Sequence, residues 1–201
     1  IYTLDMLAPR EITRHKPMYC SAADHYDCDI GGPTKIRPVI EPLLKQYKVD
    51  LYLCGHVHNY ERTVPVFDGK AVDPSHAHGS GATWVDPTAT MHAVIGMAGC
   101  DEGLHPDTWP DQVDWSDHRG ITLGYARLTF GTSGSTSSSA ASGALFSTST
   151  DSTSGSVREG EEATAAAKLS LKFEYVHSID GTVEDTIEIL KTPKQKKQRA
   201  S

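Results

Sequence analysis

Two imidazoles stand one residue apart in Gly55-His56-Val57-His58, and a third, His15, follows Glu11-Ile12-Thr13-Arg14 and precedes a turn at Pro17. Neutral imidazole is a common nitrogen ligand for zinc and iron, so residues of this type at this spacing can hold metal. In an extended segment alternate side chains point the same way. In a turn they diverge and can reach two ions a few Å apart. A His-x-His pair can equally decorate a surface or sit satisfied in a core. A second pair, His76-Ala77-His78, lies in a Gly/Ser-rich stretch with no strand before it and reads as decoration. His92, His105, His118 and His177 take no role on sequence grounds.

Something must hold the three histidines in place. Leu51-Tyr52-Leu53-Cys54 is apolar throughout, as a parallel strand buried on both faces should be. The carboxyl end of such a strand is where open α/β sheets place ligands. Upstream, Ile36, Val39, Ile40, Leu43, Leu44 and Tyr47 fall at helical spacing. Pro38 suits a helix start, whereas Pro42 predicts a kink or a break. Helix then strand is half of a layered α/β unit. His92 to Cys100 reads as another apolar strand and Gly120 to Phe130 as an alternating one, with loops over 67–90 and 101–120. Two alternating segments around Asp180-Gly181 predict a closing hairpin. Residues 131–160 are mostly Ser, Thr, Gly and Ala. They carry too little apolar surface to offset ordering entropy, and read as a disordered insertion between neighbouring strands of one sheet.

With 201 residues, 38% of them hydrophobic, the chain can bury one core and leaves part of itself unpacked. A net charge of −7 argues against nucleic-acid binding. No apolar run reaches membrane-spanning length. The first residues lack both an initiator Met and the layout of a signal peptide, so the chain is expected to begin inside a longer protein. Cys20 and Cys28 flank a short polar loop and could staple it; four free thiols, with Cys54 buried in a strand, is the alternative. Tyr60-Glu61-Arg62 reads either as a support that orients metal-bound imidazoles or as a surface ion pair.

The stretch GHVHNYERTVPVF resembles the Gly-His-x-His block of the metallophosphoesterases, and its Tyr-Glu-Arg continuation resembles the purple acid phosphatases in particular. ITRHKPMYCSA is similar to the preceding block of that family, and HAVIGMAGCDEGL and LGYARLTF to its C-terminal region. The four blocks stand in family order. The resemblance implies an α/β fold: the C-terminal part of a four-layer α/β/β/α sandwich, strand-rich. Residues 1–130 would belong to the catalytic domain, with its strand-rich C-terminal region from about 90, 131–160 to the insertion, 161–191 to the closing hairpin and 192–201 to a basic tail.

The function implied is acid phosphatase activity, hydrolysis of phosphate monoesters at a binuclear centre of Fe(III) with Zn(II), Mn(II) or Fe(II). By position His15 and His56 would ligate the divalent ion and His58 the ferric ion. His25 stands where many relatives place a histidine that contacts phosphate and protonates the leaving group; a plain loop histidine is the alternative. The family's remaining ligands come from Asp-x-Gly, Gly-Asp-x-x-Tyr and Gly-Asn-His blocks, which are expected upstream of the first residue here; no Gly-Asp-x-x-Tyr or Gly-Asn-His occurs in this chain. The isolated chain is therefore expected to be a poor phosphatase. A non-catalytic remnant, or a metal-binding or interaction module, are the other readings. The resemblance also implies a secreted or lysosomal and vacuolar-like setting, a phosphate monoester as partner, and allows a homodimer.

Overall fold

A computed structural model describes residues 9–23, 25, 28, 35–72, 78–99, 101–105, 109, 111, 113–133 and 167–193. Residues 134–160 of the Ser-rich block, the tail from 194, His76 and Cys100 lie outside them.

Leu51–Cys54 forms strand β2, flanked on one side by β1 (Glu11–Arg14) and on the other by β7 (Met91–Ile95), all parallel. The apolar run of β2 is explained by this central place. β1, at the sheet edge, is exposed along its length. The sheet continues antiparallel through β3 (Tyr60–Thr63) to β8 (Ser116–Gly120), in the order β1-β2-β7-β3-β8. A small ribbon pairs β4 (Val66–Phe67) with β5 (Lys70–Ala71).

A second sheet runs β6-β11-β10-β9, from β6 (Ala82–Val85), β9 (Gly124–Thr132), β10 (Leu169–His177) and β11 (Val183–Lys191). The hairpin predicted around Asp180-Gly181 joins β10 to β11. Gly181 takes φ +75°, and the Asp180 carboxylate accepts the Thr182 N–H at 2.9 Å. Strands β9 and β10 pair antiparallel, with the Ser133 N–H donating to the Lys168 carbonyl at 2.7 Å. The Ser-rich block thus joins adjacent strands of one sheet, as its flanks predict, and β9 extends two residues into it.

The helix α1 (Arg37–Gln46) runs unbroken through Pro42, where a kink or break was the expectation. Proline removes the bond that would reach the Pro38 carbonyl, and both residues are exposed, so solvent can satisfy that oxygen. Its buried face also differs from the apolar spacing: Arg37, Glu41 and Leu44 are buried, while Val39, Leu43 and Tyr47 face solvent. The cause is Tyr19, fully buried beneath the helix. Its hydroxyl donates to Glu41, and the Arg37 guanidinium lies 5.0 Å from its ring centroid.

The two sheets share one core. Tyr60 stacks on Tyr175 with centroids 3.9 Å apart and planes 2° from parallel. Beside that stack the buried Arg62 donates to Asp185 at 2.6 Å and to Asp117 at 2.7 Å, and the Tyr60 hydroxyl donates to Asp185 at 2.5 Å. Burial pushes the Asp185 carboxyl up, but Arg62 and Tyr60 outweigh that and hold it below the usual carboxylate range. Arg62 is therefore the polar seam between sheets, not half of a surface ion pair. It does not pair with Glu61, which points to the opposite face of β3.

Candidate metal centre

Three parallel strands end on one edge of the first sheet. β1 hands on to His15, β2 to Gly55 and His56, and β7 to Gly96. The Gly55 N–H donates to the His15 carbonyl at 3.1 Å, and the Gly96 N–H to the Asn59 carbonyl at 3.2 Å, so the ends are tied together. At this carboxyl edge lies a cavity of about 750 Å³, walled by His15, His25, His56, His58, His105 and Glu102.

The Gly55–Asn59 turn explains how two histidines face that space. The Val57 N–H donates to the Gly55 carbonyl and the Asn59 N–H to the Val57 carbonyl, both at 2.9 Å. These are successive three-residue turns. His56 takes φ +71°, a left-handed conformation that side chains other than glycine seldom adopt, and one that concentrates at functional sites. Val57 is fully buried between the two histidines and anchors the turn. A Cβ on Gly96 would stand 1.9 Å from the Val57 carbonyl oxygen, so this close approach requires glycine.

The Nε2 of His15 and the Nδ1 of His56 are 3.0 Å apart. Metal–nitrogen bonds of about 2.1 Å at right angles place neighbouring ligands about 3.0 Å apart. The spacing suits two imidazoles on one ion as well as it suits a hydrogen bond between them. His58 is oriented differently. Its Nδ1 lies 3.0 Å from the Gly103 carbonyl oxygen, which can only accept. Nδ1 therefore carries the hydrogen, and in the neutral ring Nε2 is the nitrogen with a lone pair for a ligand. The His105 N–H donates to the His58 carbonyl at 2.9 Å and grips the same residue again.

His25 reaches the cavity from a loop closed by the Cys20–Cys28 disulfide, with Cα atoms 5.2 Å apart. The staple alternative thus holds, while Cys54 is free and buried, and burial, reinforced by Glu61, pushes its thiol far above the ordinary range. The His25 ring lies 5.2 Å from that of His56 and 5.7 Å from that of His105. The base of the loop is held by the fully buried Glu61, which accepts the Ser21 N–H at 2.7 Å and the hydroxyls of Ser21 and Ser116. Glu61 thus supports the loop that carries His25 rather than a histidine ring.

All four histidines singled out from the sequence meet in this cavity. His105 and Glu102 join them and were missed. The signal for them is weak: a turn after β7 punctuated by Gly99 and Gly103, both at positive φ. Among the described residues no three His, Cys, Asp or Glu side chains converge on one point; the donors stand in pairs. The donor chemistry fits a nitrogen-rich metal site whose coordination these residues begin and do not complete.

A family model described as iron/zinc purple acid phosphatase-like protein C matches residues 89–139. Acid phosphatase type 7 of Danio rerio is 40% identical over 126 residues, covering 57% of this chain and 27% of that protein. The Homo sapiens acid phosphatase type 7 is 35% identical over 122 residues, covering 57% and 26%. A relative from Arabidopsis thaliana named probable inactive purple acid phosphatase 27 is 37% identical over 93 residues, covering 46% and 14%. The solved purple acid phosphatase from yellow lupin (Lupinus luteus) seeds shares the fold with a TM-score of 0.53 at 21% identity, over 90% of this chain and 24% of that one. The chain spans about a quarter of the length of the acid phosphatase type 7 relatives. Family model and relatives point the same way, and over the matched residues the chain is similar to the C-terminal part of purple acid phosphatases.

Proposed function

We propose that this chain forms one half of a binuclear phosphatase centre that hydrolyses phosphate monoesters at acidic pH. The observation that carries this is the histidine cavity at the carboxyl ends of three parallel strands, with His15 Nε2 and His56 Nδ1 spaced as two ligands of one ion. His15 and His56 would hold a divalent ion, zinc, manganese or ferrous iron, and His58 a ferric ion. Two such ions when bound clamp the phosphate and supply a nucleophilic hydroxide. His25, which lines the cavity from the disulfide-closed loop, would contact the phosphate and donate a proton to the leaving alkoxide. The Cys20–Cys28 bridge fits an oxidising compartment, in line with a secreted or lysosomal setting. Among the described residues no helix is long and apolar enough to cross a membrane.

One observation favours a second reading, that the isolated chain is not catalytic: among the described residues the donors stand in pairs and no three converge. Both readings are tested together. The chain is loaded with iron and zinc and assayed with a chromogenic phosphate monoester at acidic pH. Turnover far below the ordinary enzyme range of about 1–10³ s⁻¹ is expected for the chain alone. Turnover inside that range is expected once a polypeptide with Asp-x-Gly, Gly-Asp-x-x-Tyr and Gly-Asn-His blocks precedes it, and His56→Ala should abolish it. Hydrolysis indifferent to His56→Ala would contradict the proposal.

A further inference from the structure

We propose that the chain carries a second ligand site, at the amino ends of the same parallel strands, for a small amphiphilic anion: an apolar body bearing one carboxylate, sulfonate or phosphate group. The site is independent of the metal-dependent function above. Arg10 precedes β1, Asp50 precedes β2 and Thr90 precedes β7, so these residues stand at the sheet edge opposite the histidines. They wall a cavity of about 650 Å³, a size that suits a small molecule. Leu44, Val49 and Ala89 give it an apolar lining. Four cations line it, Arg10, Lys45, Lys48 and Lys191, against two carboxylates, Asp50 and Asp86. In a chain of net charge −7 this is a local excess of positive charge.

Both carboxylates are already engaged. Asp50 is fully buried and accepts from the Lys191 ammonium at 2.6 Å and from the Arg10 backbone N–H at 2.9 Å. Asp86 accepts the N–H and the hydroxyl of Thr192 at 2.9 and 2.7 Å. The Arg10 guanidinium donates to the Tyr47 carbonyl at the end of α1, and the Lys45 ammonium lies 3.7 Å from the Phe67 ring centroid. Among the described residues no hydrogen bond or ion pair holds the Lys48 ammonium. Lys48 also stands where the backbone prefers another residue. Its N–H donates to the Lys45 carbonyl at 3.2 Å and the Val49 N–H to the Leu44 carbonyl at 2.9 Å, which closes α1 with a cap whose left-handed position is ordinarily glycine. Lys48 takes that position at φ +52°, and Asp86, lining the same cavity, takes φ +49°. Among the described residues four other than glycine adopt positive φ: two line this cavity and a third is His56. Such strain concentrates at binding sites. A purely apolar ligand would leave the ammonium unused, and a bare anion would leave the apolar wall unused; a ligand with both parts satisfies the two together.

The test is a fluorescence titration of the full 201-residue chain with 8-anilinonaphthalene-1-sulfonate, an apolar anion that brightens on leaving water. N-phenyl-1-naphthylamine, the same body without the sulfonate, is titrated beside it. The anion should fill one saturable site, and the neutral dye should bind at least about fivefold more weakly. Lys48→Gln should weaken the anion about threefold and Lys48→Glu about tenfold, as expected for a single exposed charge removed and then reversed. Lys70→Gln makes the same charge change at an exposed position on β5, outside the cavity, and should leave binding unchanged. Thr88→Trp brings an indole into the cavity from an exposed position and should abolish binding. No saturable binding to the unaltered chain overturns the proposal. Equal binding of the two dyes, full binding in Lys48→Glu, or an equal loss in Lys70→Gln overturns it as well. If Thr88→Trp unfolds the chain, as circular dichroism would show, the Lys48 series decides alone.

Discussion

His92 shows at the scale of one residue what burial does to an imidazole without a partner. It is fully buried between Tyr19 and Tyr52, with ring centroids 4.8 and 5.1 Å away, and neither ring nitrogen has a hydrogen-bond partner. Burial, helped by the positive Arg37, lowers its pKa from 6.5 to about 3. The unfolded chain takes up a proton at this residue below pH 6.5, and the folded chain does not until about 3. Stability is therefore lost as pH falls through that window, by on the order of 4 kcal/mol at its lower end. His92→Leu should leave stability at pH 7 within about 2 kcal/mol, since it removes two unsatisfied polar atoms along with some volume. It should also flatten the loss between pH 7 and 4. Urea unfolding at both values reads this, and an unchanged pH slope would show that His92 is not the acid-sensitive group. The cavity histidines contrast with it. His15, His25, His56 and His58 were legible because each sits in a recognisable block. His105 and Glu102 were not, since what brings them to His58 is a backbone bond from His105 and side-chain contacts with Gly103 and Glu102, all across more than forty residues, and no local pattern records it.

Among the elements, the turn between β2 and β3 depends on one contact with the end of β7. Gly96 leaves room for the Val57 carbonyl, and Val57 in turn sets the directions of His56 and His58. Gly96→Ala must push that turn outward, because backbone at 1.9 Å cannot yield as a flexible side chain would. The expected result is a loss of about 1–3 kcal/mol with weakened zinc binding. Thermal unfolding and zinc calorimetry measure the two, and an unchanged zinc affinity would show the turn to be less constrained than its geometry indicates. The strands that hold this turn were readable where they are apolar and central, as β2 and β7 are. Strands β3, β6 and β8 were not. Each is short, and β3 and β8 bury Glu61, Arg62 and Ser116, whose polarity reads as loop until their partners are known. The helix was legible in extent but not in orientation, because Tyr19 draws Arg37 and Glu41 inward against their hydropathy.

On the scale of the whole molecule, two sheets are joined by the Tyr60–Tyr175 stack and the buried Arg62–Asp185 pair. The ends of the connection between β9 and β10 meet, with Ser133 and Lys168 joined by bonds of 2.7 and 2.9 Å. Replacing residues 134–166 with a short Gly-containing turn should therefore change unfolding free energy by about 1 kcal/mol or less, because loop-closure cost grows only logarithmically with length. Chemical denaturation tests it, and a loss of several kcal/mol would mean that the segment packs on the body. The placement of this block between neighbouring strands was legible from alternation on both its sides. The order of strands within each sheet was not, because crossovers such as β7 between β2 and β3 leave no local trace in the chain.

The central claim is that the strand-end histidines, and not the others, receive metal. Nitrogen-15 resonances of the histidine side chains followed during Zn(II) addition test it most directly. The account predicts that the first equivalents move His15 at Nε2, His56 at Nδ1 and His58 at Nε2, while His92, His118 and His177 stay where they were. First shifts at His118 and His177, which flank the Glu184 carboxylate at 3.0 and 2.6 Å, with the cavity histidines silent, would contradict it.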